Sequence, residues 1–201
     1  MGKDDRSLRF GEVVEASIEG LVGQCDQLFA PPPLGALVRA GASSSGIYGV
    51  ITGSETSSLD PTRRIISRGA NLDSDERVYQ ENPQLNRLLR TDVKIMVVGY
   101  RVNGALNYYL APYPSNIHTS IYLCPTEEVQ EFNQILDYLS LLAHAPIKSP
   151  DDILAAVIKY ASQQHDSPSE FIKQAARAIA LILGSETQRL YEILKRLPLN
   201  R

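Results

Sequence analysis

The stretch that decides the fold reads Gly35-Ala-Leu-Val-Arg-Ala-Gly41, then Ser43-Ser-Ser-Gly46, then Ile47-Tyr-Gly-Val-Ile-Thr-Gly53. Its two apolar runs are rich in Val and Ile, which favour the pleated backbone of a strand, and the glycines at their ends allow bends and close approach. The polar segment between them is too short to hold a helix. We therefore expect the two runs to pair with each other, either as a hairpin or as a corner of a β-barrel.

Five more segments have the alternation or the β-branched composition of strands, at residues 10–18, 21–29, 93–100, 106–110 and 118–123. Asn103-Gly104 separates two of them. Asn-Gly is the strongest short-range signal for a hairpin, because both central residues of its turn need positive φ. Three consecutive prolines, Pro31 to Pro33, cannot donate to a sheet ladder, so we interpret them as a stiff spacer rather than as a ligand for a proline-recognition domain.

At Pro125 the apolar periodicity changes from two residues to three or four, which predicts helices. Serine N-caps are expected for three of these helices, at Ser149, Ser167 and Ser185, and Ser167 stands three residues before Glu170, the spacing of a capping box. The helix that precedes them carries one apolar stripe, formed by Val129, Phe132, Ile135, Leu136, Leu139 and Leu142.

These segments together predict a protein of the α+β class in two parts. Residues 8–124 should form a small closed β-barrel of about six strands, and residues 125–201 a helical domain, a bundle of three to four helices. A long excursion at about residues 54–91 interrupts the barrel, and its length indicates either a functional insertion or a structural element that the sequence pattern does not reveal. One short helix is expected inside it, from Pro83 to Leu89, with Leu85, Leu88 and Leu89 facing inward.

The order and spacing of four short motifs resemble the HerA–ATP synthase barrel, or HAS barrel. The motifs are Gly11-x-Val13, Val38-Arg-Ala-Gly41, Tyr48-Gly-Val-Ile-Thr52 and the strand at 93–99, and the resemblance covers about residues 8 to 123. In HerA-type DNA translocases and rotary ATP synthases this barrel is not catalytic; it packs against neighbouring barrels or accessory subunits. The sequence contains no G-x-x-x-x-G-K-[ST] motif. The resemblance therefore implies a stand-alone bacterial member without a motor domain, which neither binds nor hydrolyses ATP.

Composition and charge indicate the cellular compartment in which the protein is expected. A net charge of -3 over 201 residues gives no general attraction to nucleic acid or to an acidic membrane surface. The N-terminal residues lack the apolar core of a signal peptide, and no apolar run approaches the roughly 20 residues that span a bilayer. Cys25 and Cys124 fit no metal spacing, and we expect buried thiols rather than a disulfide. These features predict a cytoplasmic protein without membrane insertion.

The sequence lacks the patterns that carry catalysis. The loop at residues 41–46 could cradle a phosphate, but no Lys follows it, which favours a plain strand connection. His118, His144 and His165 do not have the spacing of a metal site. Acidic pairs such as Glu127-Glu128 stand at helix starts, where the helix dipole explains them. We therefore predict no catalytic, cofactor-binding or metal-binding residue, and a protein that is not an enzyme.

Arginines are concentrated in the excursion. Guanidinium groups bind carboxylates and phosphates through paired hydrogen bonds, so these side chains could contact a partner or an anion. Acidic neighbours, which include Asp60, Asp73 and Glu81, could instead hold them in a solvated ion-pair network, and both interpretations stay open. The candidate contact residues are Arg63, Arg64, Arg68, Arg87 and Arg90.

The function expected from these observations is a non-enzymatic protein-interaction or assembly module. Its partner would be another protein or a second copy of the chain, and no cofactor is expected. The alternative is a small barrel that binds single-stranded nucleic acid through exposed aromatic and arginine side chains, as OB-folds do. The acidic net charge and the lack of a Lys-rich face make nucleic acid the less favoured partner.

Overall fold

The hairpin predicted at residues 35–53 is confirmed by the computed structural model, which describes residues 8–62, 64–68 and 73–198. Strand β3 (Leu37–Ala40) runs antiparallel to β4 (Ile47–Ser58), with Leu37 opposite Val50 and Ala40 opposite Ile47. Gly49 of β4 is required by packing, because a Cβ there would lie 2.3 Å from Cγ2 of Ile95 and 2.8 Å from the carbonyl oxygen of Met96.

The other strands complete one seven-stranded antiparallel sheet, and they are β1 (Arg9–Ala16), β2 (Gly20–Cys25), β5 (Leu89–Val102), β6 (Ala105–Asn107) and β7 (Ser120–Leu123). The strand order is β2-β1-β7-β3-β4-β5-β6, and β2 pairs in addition with β5. The Asn-Gly turn between β5 and β6 is confirmed, since Asn103 and Gly104 have φ angles of 50° and 81°.

Several strand boundaries differ from the prediction; for example, the strand predicted at 106–110 is limited to β6, and the one predicted at 118–123 begins only at Ser120. The strand predicted at 21–29 ends at Cys25, and Phe29 has a φ of 62°, a left-handed conformation that does not continue a ladder. Strands β4 and β5 instead extend into the predicted excursion, pairing from Ile47 opposite Tyr100 to Ser58 opposite Leu89. The connection between β4 and β5 is therefore shorter than predicted. It lies at the end of the two-stranded ribbon that the extended parts of β4 and β5 form.

The connection at the end of the ribbon contains two short helices, α1 (Asp75–Glu81) and α2 (Leu85–Leu88). Helix α2 corresponds to the helix predicted at 83–89, whereas α1 was not predicted. The expectation that Leu88 faces inward is wrong, because its side chain is largely exposed. Leu85 and Leu89 are half-buried.

The C-terminal part contains five helices within the described residues, where three to four were predicted: α3 (Thr126–Phe132), α4 (Leu139–Ala143), α5 (Pro150–Ser162), α6 (Pro168–Leu183) and α7 (Thr187–Arg196). The stripe predicted on one helix from Val129 to Leu142 is divided: Ile135 and Leu136 lie between α3 and α4, and Ile135 is exposed. Nδ2 of Asn133 donates to the carbonyl of Val129 at 2.8 Å, and its Oδ1 accepts from the hydroxyl of Tyr138 at 2.6 Å. These bonds end α3 and hold the turn before α4.

The helix starts at Pro150 and Pro168 agree with the prediction, but the expected side-chain caps are wrong. Neither Ser149 nor Ser167 makes a side-chain capping hydrogen bond, and Ser149 has a φ of 53°. The predicted capping box fails because the carboxylate of Glu170 accepts from Nζ of Lys173 at 2.8 Å instead. Proline at the first helical position, which needs no N–H partner, remains the local start signal.

Apolar side chains form two clusters on opposite faces of the same strands. Val38, Ile51 and Val97 belong to the inner cluster, while their neighbours Leu37, Val50 and Val98 face the helices. The cluster that contains Leu37, Val50 and Val98 continues into the helical part. Phe132 is one example, since its ring stacks on Tyr48 with centroids 5.1 Å apart. The predicted boundary at residue 124 stays a prediction, although the core is shared across it.

The mixed α+β class is confirmed, with seven strands in one sheet and seven helices in the described part of the chain. Both cysteines are buried and free, as expected. Among the helices of the described segments, none has the length and apolar character that crossing a membrane requires.

Candidate functional site

Arg64 and Arg68, two of the predicted contact residues, lie together at a cavity of about 560 Å³ at the end of the β4–β5 ribbon. We call this cavity the excursion pocket. Its apolar walls are formed by Leu59, Ile65, Ile66, Val78, Leu85 and Leu88. These residues belong to the segment that follows β4, to the two short helices and to the segment at 64–68.

Backbone and side-chain contacts hold these walls in place. The N–H of Leu59 donates to the carbonyl of Leu88 at 2.8 Å, which extends the ladder of the ribbon by one pair. Tyr79 of α1 packs edge-to-face against Phe29, with ring centroids 5.3 Å apart. Nη1 of Arg68 donates to Oδ1 of Asn82 at 3.1 Å. The pocket is thus built on the sheet rather than on a free loop.

Large apolar side chains stand exposed around this one cavity. The exposed fractions are 50% for Leu59, 58% for Ile65, 73% for Ile66 and 42% for Leu88. Single exposed apolar residues are ordinary, but a group of four beside one pocket is typical of a protein-interaction surface.

The charges of the excursion are only partly neutralised by internal ion pairs. Arg77 holds the carboxylates of Asp73 and Glu81, at 2.9 and 4.0 Å. Arg90 forms an ion pair with Asp92. Among the described residues, no carboxylate forms an ion pair with Arg64, Arg68 or Arg87. The ion-pair interpretation therefore holds for Arg77 and Arg90, while these three guanidinium groups remain open to a partner.

The predicted contact residues thus divide into groups. Arg64 and Arg68 line the excursion pocket, and Arg87 is exposed on α2 between two of its wall residues. Arg90 lies apart on β5, where its Nε is 3.0 Å from Oδ2 of Asp92, a carboxyl whose pKa is raised by burial. Arg63 lies outside the described residues.

A second set of charges, which sequence reasoning missed, joins the sheet to α3. We call it the junction network, and it consists of Arg39, Tyr48, Arg101, Glu128 and Glu131. Nε of Arg39 donates to Oε1 of Glu128 at 3.0 Å, and the hydroxyl of Tyr48 donates to the same oxygen. Nη2 of Arg101 contacts Oε2 of Glu131 at 2.7 Å. Glu128 lies in the first turn of α3, as the helix-dipole interpretation expects, and is in addition a buried ion-pair partner.

The junction network is built for stability. Arg39 is only 1% exposed. Burial, followed by the hydrogen bond to Glu128, raises the pKa of Tyr48, so its phenol stays protonated and donating. The only sequence signal for the network was Arg39 itself, a charged residue inside an apolar strand; its partner could not be identified from the sequence.

The histidines have separate surroundings. Nδ1 of His118 lies 3.2 Å from Oε1 of Glu12, and Nδ1 of His144 lies 2.9 Å from the carbonyl oxygen of Ser140. His165 stacks on Phe171, and burial lowers its pKa. Within residues 8–62, 64–68 and 73–198, no group of three or more His, Cys, Asp or Glu is arranged to hold a metal ion.

A larger cavity, of about 800 Å³, lies between the sheet and the segment that includes α4. Its charged lining residues are of both signs, Glu15 and Glu19 on one hand and Lys94 on the other. The excursion pocket also presents both signs, since Asp60 lines it, but its two guanidinium groups, Arg64 and Arg68, outnumber that carboxylate.

A scan against models of known protein families finds no match to this chain, and a search of curated proteins finds none either. The resemblance to the HAS barrel accordingly stays a prediction, and the function must be inferred from the chain's own residues.

Proposed function

We propose that this protein is a non-enzymatic interaction or assembly module that docks another protein through the excursion pocket. The observation that carries the proposal is the coincidence of four exposed apolar side chains with arginines that lack an ion-pair partner among the described residues. Interface cores commonly combine apolar anchors with Arg, whose guanidinium forms strong charge-assisted hydrogen bonds.

We infer that the strands provide a rigid mount for this surface, a small closed barrel of the HAS type. The pairing of β2 with β5 supports closure, because it joins the two ends of the run β2-β1-β7-β3-β4-β5. In such a barrel β4 is paired on both sides at its beginning and β5 near its middle, and the rest of the ribbon projects the excursion outward. A surface on a rigid mount loses less conformational entropy when a partner binds.

The proposal is tested by comparing co-purified proteins from cells that express the wild type, the double variant Arg64→Ala/Arg68→Ala, or the control Arg177→Ala. Arg177 is exposed on α6, away from the pocket. Removing two charge-assisted contacts should weaken recovery of a specific protein by roughly tenfold or more, since each such contact contributes about 1.5–3 kcal/mol. The control should leave recovery unchanged.

The proposal fails if light scattering shows a monomer and quantitative mass spectrometry finds no protein enriched with the wild type over the double variant. A concentration-dependent increase in mass, lost in the double variant, would identify a second copy of the chain as the partner.

Binding of single-stranded nucleic acid is the second candidate, favoured by exposed aromatic side chains near β6. Tyr109 and Tyr113 are exposed, and Tyr109 packs edge-to-face on Tyr100 at 5.5 Å. Exposed rings can stack on bases. Fluorescence anisotropy with a labelled oligothymidine at about 50 mM and about 200 mM salt separates the candidates, because phosphate binding would weaken steeply with salt. The net charge of -3 leads us to expect no tight binding.

A further inference from the structure

The edge of β4 offers a way to bind a partner beside the excursion pocket. β4 pairs with β5 along its whole length, but with β3 only from Ile47 to Val50. Ile51 still exchanges backbone hydrogen bonds with Gly35 and Ala36. Beyond that point, no strand among the described residues pairs with the other side of β4. The segment from Gly53 to Ser58 is therefore a sheet edge.

The hydrogen-bonding pattern between β4 and β5 determines which backbone groups of β4 point toward the open edge. The N–H of Leu59 donates to Leu88, so the pair 59–88 is hydrogen-bonded across the ribbon. Hydrogen-bonded and non-hydrogen-bonded pairs alternate in an antiparallel ladder. The N–H and C=O groups of Ser54, Thr56 and Ser58 consequently point away from β5. Ser54 and Thr56 are exposed.

This edge is only lightly protected against strand addition. Its sequence is Gly53-Ser-Glu-Thr-Ser-Ser58, which contains neither Pro nor Lys; its protecting features are the charge of Glu55 and a register shift between Ile51 and Gly53, where the edge begins. Its other side chains are small, and a Cβ at Gly53 would meet no heavy atom within 4 Å. An incoming backbone could therefore approach closely.

The edge is continuous with the excursion pocket, since Ser58 ends β4 and also lines the pocket with Leu59. A strand that extends along β4 would therefore lead into a cavity bordered by two guanidinium groups, Arg64 and Arg68, and one carboxylate, Asp60. In a dimer paired antiparallel through this edge, the beginning of β4 from one copy would instead lie beside the excursion pocket of the other copy. Residues 47–53 contain no carboxylate for these arginines. Charge complementarity thus favours an acidic partner over a second copy.

We propose that the docked protein contributes an extended segment that adds to the sheet along Ser54–Ser58 and places acidic and apolar side chains in the excursion pocket. Main-chain hydrogen bonds would provide affinity and the pocket would provide specificity, as in other cases of strand addition. This inference rests on the proposed docking function.

The test uses the full-length chain and a displayed library of random peptides of about twelve residues, long enough for a typical strand. Selected peptides should be acidic. Their affinity should fall roughly tenfold or more in Ser54→Pro, which removes an outward N–H and obstructs the edge, and stay within about twofold in Ser54→Ala, which keeps it. Arg64→Ala/Arg68→Ala should also weaken binding.

A second measurement does not depend on the folding of the proline variant. In the wild type, a bound peptide should slow hydrogen exchange at the amides of Thr56 and Ser58 by roughly tenfold or more, because these N–H groups become hydrogen-bonded.

Three results overturn strand addition. If peptides need Arg64 and Arg68 but leave exchange at Thr56 unchanged, docking uses the pocket alone and the proposed function survives. If the chain dimerises and Ser54→Pro abolishes the dimer, a second copy occupies the edge. If no peptide is enriched, an extended segment is excluded, and the co-purification experiment decides separately whether the docking function stands.

Discussion

Arg39 and the pair Arg64 and Arg68 show the same side chain in two opposite settings. Arg39 is 1% exposed in the junction network, bound by Glu128 and lying 5.0 Å from the centre of the Tyr122 ring. Arg64 and Arg68 are exposed beside apolar walls, without an ion pair to any carboxylate in the described ranges. A buried guanidinium requires internal partners, whereas an exposed one can leave its hydrogen-bonding capacity for another molecule.

The difference separates residues that hold the fold from residues that offer a surface. Changes at the junction should therefore reduce stability, whereas changes at the excursion pocket should reduce binding alone. Three measurements test this difference between the two regions.

Truncation after Cys124 should have the largest effect. It removes every helix that covers Leu37, Tyr48 and Val50, and leaves Arg39 without Glu128. Because this exposes one whole apolar face of the sheet, we expect residues 1–124 to aggregate or to lose cooperative thermal unfolding, as measured by circular dichroism. A soluble fragment with a cooperative transition and a β-type spectrum would instead support independent domains with a boundary at residue 124.

Glu128→Gln should come next. It removes the negative charge that compensates Arg39, and breaking a buried ion pair in this way typically costs about 3–5 kcal/mol. Urea unfolding of the full chain measures the loss. The matched control is Glu127→Gln, the exposed neighbour on the same helix turn, which should change stability by no more than about 0.5 kcal/mol.

If Glu128→Gln reduced the free energy of unfolding by less than about 1 kcal/mol, the Arg39–Glu128 ion pair would behave like an exposed one. The contrast between the junction network and the excursion pocket would then disappear.

Arg64→Ala and Arg68→Ala should have the smallest effect on folding. Each side chain is exposed, so we expect each change to stay within about 0.5 kcal/mol in urea unfolding, even though Arg68 loses its hydrogen bond to Asn82. A loss above about 2 kcal/mol would show that these arginines hold the excursion in place, and would remove the main support for a docking surface.

Several elements could be predicted because their signals are local. The Asn103-Gly104 turn depends on two residues that accept positive φ, and the starts of α5 and α6 depend on Pro150 and Pro168. The break between α3 and α4 could not be predicted, since it depends on the side chain of Asn133 bonding both Val129 and Tyr138. An apolar stripe indicates most of the buried residues, although Ile135 of this stripe is exposed, and it does not show whether one helix carries them all.

The candidate site was predictable only in part. The arginine-rich excursion identified Arg64 and Arg68, but the apolar walls come from residues between 59 and 88 that are brought together by the ribbon. The ribbon itself continues through polar residues, for example Thr56 and Thr91, whose hydroxyls lie 2.9 Å apart. Polar strands of this kind have no apolar alternation to reveal them.

The α+β class, the central hairpin and the start of the helical part at Pro125 follow from local sequence, because propensity, turn chemistry and apolar period act between near neighbours. Which charges are buried and which are exposed depends on tertiary packing. Arg39 and Glu128 stand 89 residues apart, and their pairing depends on how α3 packs against the sheet. Partners at such separations are set by the packed core, which no local pattern records.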